Sequence, residues 1–349
     1  MSKFLFTDSG AFSHHPDFSK LGYQVIHELG RNREGGRITY LAHALNSNQK
    51  VVIKEFGFAT MAADWSGVKP YEHEIEILQQ LNHCRIPRYV DSFELPGGFY
   101  MVQEYKNAPS LGLRRSFHPE EVKQIALSIL EILVYLQKQV PSIIHRDIKP
   151  ENILVDERLN AYLVDFGLAR LRGAKMALSS FVVGTPGFMP PEEQFGHVLT
   201  DASDLYSLGA TLICLLTNTR SVDIGKLIDD NYRFSFQKLV PQLSPRFASW
   251  LKKMVECNRK RRYRNAYVAL SALKKIQVID AITGIDNSVA ASKRRKHLTL
   301  LGIAIFVTLA MVGVGLFISQ PGDAGRQMLK NQECQSSELR VNCTDKTRY

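Results

Sequence analysis

The chain has few cysteines, and its long N-terminal body offers no obvious pair: Cys84, Cys214 and Cys257 stand singly, and only Cys334 and Cys343, near the end, lie close together. That distribution excludes a disulfide-stapled scaffold and marks the body as a reduced, cytosolic domain. A leading apolar run is also missing, because Asp8, His14 and His15 interrupt residues 1–22, so no export signal is expected. Internal repeats and low-complexity tracts are lacking, which excludes solenoids and fibrous arrays. The net charge of +10 gathers partly in residues 252–264 and partly in residues 293–296, but no nucleic-acid recognition motif accompanies it, and no nucleic-acid partner is expected.

What is present, in 349 residues that are 45% hydrophobic and 22% charged, is a globular composition followed by one long uncharged run. Residues 298–318 read LTLLGIAIFVTLAMVGVGLFI, enough at about 1.5 Å per residue for a helix to cross a hydrocarbon core of about 30 Å. The block Lys293, Arg294, Arg295, Lys296 just before it predicts a single-pass protein of the cell membrane with its large N-terminal part in the cytoplasm. The expected organisation is an N-terminal extension (1–22), a main domain (23–275), a basic juxtamembrane linker (276–297), the membrane helix (298–318) and a short extracytoplasmic tail (319–349). In that tail Cys334 and Cys343 form an intrachain disulfide, remain two thiols, or bridge a homodimer.

Within the main domain, five short β-type runs, YQVIHEL, RITYLAHAL, KVVIKEF, RYVDSFEL and GFYMVQEY, are broken once by the helical pattern YEHEIEILQQLNH. After Pro119 the apolar spacing in EEVKQIALSILEILVYLQKQ becomes helical. The expected fold class is α+β, a small antiparallel β lobe with one helix and a larger helical lobe.

The most informative string is Ile144-His145-Arg146-Asp147-Ile148-Lys149-Pro150-Glu151-Asn152, followed by Val164-Asp165-Phe166-Gly167. Phosphoryl transfer to a hydroxyl needs an acceptor for the proton, a cation for the migrating charge and oxygen ligands for metal ions, and Asp147, Lys149, Asn152 and Asp165 supply these in order. The run resembles the catalytic loop and metal-binding triplet of eukaryotic-like serine/threonine protein kinases. The resemblance implies a two-lobed kinase fold, ATP and Mg2+ as cofactors, and protein substrates phosphorylated on serine or threonine. It extends over most of residues 23–273. Lys54, in Val51-Val52-Ile53-Lys54, looks like the lysine that contacts the α- and β-phosphates, with Glu74 as its ion-pair partner. Met101-Val102-Gln103-Glu104-Tyr105-Lys106 is similar to the strand and hinge that hold adenine by backbone groups, which makes Glu104 and Lys106 nucleotide contacts and Gln103 a polar gatekeeper.

Gly184-Thr185-Pro186-Gly187-Phe188-Met189-Pro190-Pro191-Glu192 resembles the end of the activation segment, with Pro190 where alanine is usual; Glu192 would pair with Arg262, and Asp204 would steady the catalytic loop. Lys149 and Thr185 imply serine/threonine preference. Arg146 beside Asp147 implies a site for a phosphate on the activation segment, for which Ser179, Ser180 and Thr185 are the available hydroxyls. The phosphate loop departs from the family's compact glycine pattern: Leu29, Gly30 and the pair Gly35-Gly36 are its candidate nucleotide contacts, with Asn32 in place of a middle glycine. Kinase domain, basic juxtamembrane segment and one span together resemble bacterial membrane-anchored kinases, and the NREGGRITYLA loop suggests a cyanobacterial type. A pseudokinase scaffold would have lost Lys54, Asp147, Asn152 or Asp165, and a small-molecule phosphotransferase would not carry GTPGFMPPE; all of these stand in the chain.

Overall fold

The computed structural model describes residues 16–32, 37–57, 70–113, 115–172 and 185–279. The expected membrane helix, the tail with Cys334 and Cys343, the pair Gly35-Gly36 and the serines Ser179 and Ser180 lie outside these residues. No helix among the described residues is long and apolar enough to cross a membrane.

Strands β1 (Tyr23–Asn32), β2 (Arg37–Ala44), β3 (Gln49–Gly57), β4 (Tyr89–Leu95) and β5 (Gly98–Glu104) form one antiparallel sheet in the order β1-β2-β3-β5-β4. Their register sets Lys54 opposite Thr39 on one side and Met101 on the other. Alternation along the strands buries Tyr40, Ala42, Val51, Ile53, Tyr100 and Val102 together on one face of the sheet. Phe18 joins that cluster, edge-on to Tyr100 with ring centroids 5.0 Å apart. It falls within the stretch that sequence patterning treats as an extension, and it packs because an aromatic side chain covers the end of an otherwise open sheet face.

Helix α1 (Pro70–Gln80) crosses to the other face of the sheet. Glu74, Ile77, Leu78 and Leu81 recur at spacings of three and four, so a single stripe is buried, and Glu74 is carried inward with it. In the helical lobe α2 (Pro119–Gln137) starts where the His118 N–H donates to the Glu121 carboxylate at 2.8 Å. Its wide apolar face, from Val122 to Leu136, packs on α4 (Ser203–Leu216), which is largely apolar and almost wholly buried. Helices α3 (Pro191–Gln194), α5 (Pro245–Met254) and α6 (Ala266–Lys274) complete the lobe. One continuous core runs from Ile77 and Leu78 on α1 through Met101 to α2, α4 and α6.

The folded unit continues past residue 275, into the stretch expected to be linker. The carbonyls of Ile276, Gln277 and Val278 accept bonds from Lys123 Nζ (2.6 Å), Ser244 Oγ (2.5 Å) and the Ser244 N–H (2.7 Å). Those bonds are to main chain, so no residue pattern announces them.

Candidate active site

Two short strand pairs carry the chemistry-bearing loops. Strand β6 (Ile143–Ile144) pairs with β9 (Arg170–Leu171), and β7 (Ile153–Val155) with β8 (Ala161–Leu163). Residues 145–152 therefore leave β6 and return on β7, while residues 164–169 join β8 to β9, and both loops meet at the same end of these ribbons.

Asp204, buried at the start of α4, receives the His145 N–H at 2.8 Å and the Arg146 N–H at 2.9 Å. Burial pushes its carboxyl above the ordinary range, and the two N–H bonds oppose that rise. Arg146 and Asp165 have φ of 71° and 64°, left-handed conformations that side chains adopt only when surrounding bonds enforce them. His145 ties the two loops together: its Nδ1 accepts the Asp147 N–H at 3.3 Å, which leaves Nε2 to donate to the Val164 carbonyl at 3.2 Å. Burial holds its imidazole below the usual histidine range, hence neutral.

The Asp147 carboxylate accepts from Asn152 Nδ2 at 2.7 Å and lies 2.9 Å from Lys149 Nζ, which also donates to Thr185 Oγ1 at 2.8 Å. Asn152 Nδ2 additionally meets the Asp147 carbonyl at 2.9 Å, so the amide oxygen is what Asn152 keeps for another ligand. Across the cleft Lys54 Nζ lies 2.5 Å from Glu74 Oε1 and 3.2 Å from Asp165 Oδ1. Arg37 closes on the same carboxylate, Nη1 to Oδ1 at 2.9 Å and Nη2 to Oδ2 at 3.2 Å, with Glu74 Oε2 at 3.6 Å from Nη1. Burial works to raise the Asp165 carboxyl, but Lys54 and Arg37 outweigh it and hold it well below the usual carboxylate range.

Of these groups Lys54, Asn152 and Asp165 line a cleft of roughly 970 Å³ whose wall also contains Leu29, Gly30, Thr39, Val52, Gln103, Glu104 and Lys106. The Glu104 and Lys106 side chains pair with one another at 2.8 Å, and Lys106 Nζ also donates to the Cys84 carbonyl at 2.8 Å. Outside the cleft, Glu192 receives both arms of the Arg262 guanidinium at 2.7 Å each, together with Ser203 Oγ at 2.9 Å. Arg146, expected as the partner of a phosphate, lies against Glu193, with Nε at 2.7 Å and Nη2 at 2.6 Å from Oε1.

The donor set suits Mg2+. Asp165 offers a carboxylate and Asn152 an amide oxygen, hard ligands for an ion that fills the rest of its octahedral shell with substrate phosphates and water. No cluster of three acidic, histidine or cysteine ligands exists among the described residues, and Mg2+ held largely by its nucleotide does not need one.

Three contributors to this geometry were assigned no role from the sequence. Arg37 sits 128 positions before Asp165, His145 lies inside a string valued for its neighbours, and Glu193 stands beside a glutamate that already has a role. Their only signal is charge or polarity next to a recognised residue.

A sequence profile described as "Protein kinase domain" matches residues 23–274. Serine/threonine-protein kinase B of Synechocystis sp. is 36% identical over 279 residues, 72% of this chain and 46% of the relative. Serine/threonine-protein kinase D of the same organism is 31% identical over 266 residues (73% and 52%), and serine/threonine-protein kinase PknA of Nostoc sp. is 30% identical over 275 residues (72% and 47%). The chain thus spans about half the length of these relatives.

Proposed function

Because this chain belongs to the protein kinase family, we propose that it is a serine/threonine protein kinase that moves the γ-phosphate of ATP to protein hydroxyls, itself included, from the cytoplasmic face of a membrane. The observation that carries the reading is that Lys54, Asp165 and Asn152 line one cleft, with Glu74 paired to Lys54 and Asp147 bonded to Asn152 and Lys149 directly behind them.

In this mechanism the 104–106 backbone holds adenine, and Glu74 keeps Lys54 extended toward the α- and β-phosphates. Asp165 and the Asn152 amide oxygen would hold Mg2+, which would supply positive charge to offset that of the nucleotide's phosphates. The substrate hydroxyl sits against Asp147, whose carboxylate takes its proton as the oxygen–phosphorus bond forms and the bond from γ-phosphorus to the ADP oxygen breaks. Lys149 meets the charge that migrates with the phosphoryl group, and its bond to Thr185 ties it to the segment on which a substrate peptide would lie.

Membrane attachment is supported by the uncharged run 298–318 and the four basic residues before it. Incubating the full chain with γ-labelled ATP and a mixed protein substrate, then hydrolysing the product, is the test. Phosphoserine and phosphothreonine are expected, and phosphotyrosine alone would contradict the specificity. Activity that sediments with membranes from cells, and that is freed by removing residues 298–349, supports attachment; activity in the soluble fraction from the outset contradicts it.

A further inference from the structure

We propose that Glu193 is a resident anion that stands in for an activation-segment phosphate, holding Arg146 and through it Asp147 in working position, so that phosphate transfer does not depend on phosphorylation of Ser179 or Ser180. The inference rests on the kinase reading above and adds to it a positioning residue and its consequence for regulation.

Burial and geometry carry it. The Arg146 and Glu193 side chains are 1% and 2% exposed, and both Nε and Nη2 of the guanidinium lie on Glu193 Oε1. Among the described residues Arg146 is the one side chain that bonds this carboxylate, whose Oε2 has no hydrogen-bond partner. A buried carboxylate with half its acceptor capacity unused is costly to keep, and what it secures here is the guanidinium.

That guanidinium belongs to the residue before Asp147, in a left-handed backbone conformation that Asp204 holds from the main-chain side. The side-chain bond to Glu193 is the second anchor. Glu193 is itself immobilised, since Glu192 beside it on α3 is clamped by Arg262 and by Ser203. Helix α3 is thereby tied to the catalytic loop at one residue and to the base of the lobe at the next. A phosphate seeking Arg146 would have to displace an anion that is already buried and paired.

The test uses the full chain after phosphatase treatment, comparing the parent, Glu193→Gln, the pair Ser179→Ala/Ser180→Ala, and Glu193→Leu with and without Arg146→Leu. Each is assayed for kcat, for nucleotide affinity by fluorescence and for Tm. A catalytic group displaced by about 1 Å loses on the order of 100-fold in rate, so Glu193→Gln is expected to lower kcat by about that factor with nucleotide affinity unchanged. The serine pair is expected to keep parental kcat. Glu193→Leu should cost nothing further once Arg146 is leucine, because the carboxylate acts through that arginine.

Full kcat in Glu193→Gln overturns the proposal, as does loss of kcat in the serine pair. Parallel loss of kcat, nucleotide affinity and Tm shows a general structural role and overturns it too. Should Glu193→Gln fail to fold, the Arg146→Leu/Glu193→Leu chain, which leaves no unpaired charge, decides the matter: kcat equal to the parent contradicts the proposal, and kcat equal to Arg146→Leu alone supports it. A parent that is active before phosphatase treatment and inactive after it overturns the proposal, and a parent that transfers no phosphate in either form would instead remove the kinase reading.

Discussion

Arg37 places two bonds on the carboxylate that a metal ion would need, which sets a competition at a single residue. Both side chains keep about a quarter of their surface exposed, at 24% and 22%, so the pair is worth only about 0.2–1 kcal/mol after solvent screening. Arg37→Met should therefore lower the Mg2+ concentration needed for half-maximal nucleotide binding, by up to about fivefold on that figure. A higher requirement in a fluorescence titration would mean that Arg37 serves the phosphates instead. A second residue-scale outcome concerns pH. Burial pushes the Glu193 carboxyl up to about 7 although Arg146 lies against it, with Asp204 and Glu192 as its acidic neighbours. Below that pH the carboxyl holds a proton and loses its charge, so kcat should fall as pH drops through about 7. Stability runs the other way: between the ordinary value of 4.5 and about 7 the folded chain keeps a proton that the unfolded chain has released, and this group's contribution declines as pH rises through that window. A kcat–pH profile checks the first, and one that is flat between pH 6 and 8 on the order of experimental scatter would remove Glu193 as the titrating group.

At the scale of elements, the strands and helices that position the site were legible because burial imposes a period on residues close in sequence. Glu74 is what the family resemblance implies, and the helical stripe that buries Leu78 and Leu81 carries the glutamate to Lys54. The Asp147 and Asp165 loops were legible for a different reason: their chemistry demands particular residues within a few positions of one another. What escaped were contacts between distant segments. Phe18 falls in the expected extension because a lone phenylalanine followed by a turn has no period to report. Its burial against Tyr40, Phe93 and Tyr100 has a measurable consequence. Phe18→Ala is expected to destabilise the folded unit by about 3–5 kcal/mol, the usual cost of emptying a phenylalanine site. Starting the chain at Tyr23 should cost at least as much. An unchanged urea midpoint in Phe18→Ala would show that the aromatic end-cover contributes nothing.

For the whole molecule, the folded unit includes the described residues up to Ile279, and residues 298–318 are known from sequence alone. The bonds that extend the unit are made by main-chain carbonyls of Ile276, Gln277 and Val278, and main chain is the same at every position, which is why patterning stopped short. The account as a whole stands on one chemical assignment, that Asp147 takes the proton of the attacking hydroxyl while other residues hold the nucleotide. A general base of this kind contributes about 10²–10⁴ in rate. The most direct measurement is phosphate transfer from γ-labelled ATP to protein by the parent and by Asp147→Ala, with nucleotide affinity measured on the same samples. Transfer reduced by about that factor with affinity retained is the predicted result. Undiminished transfer by Asp147→Ala would contradict it.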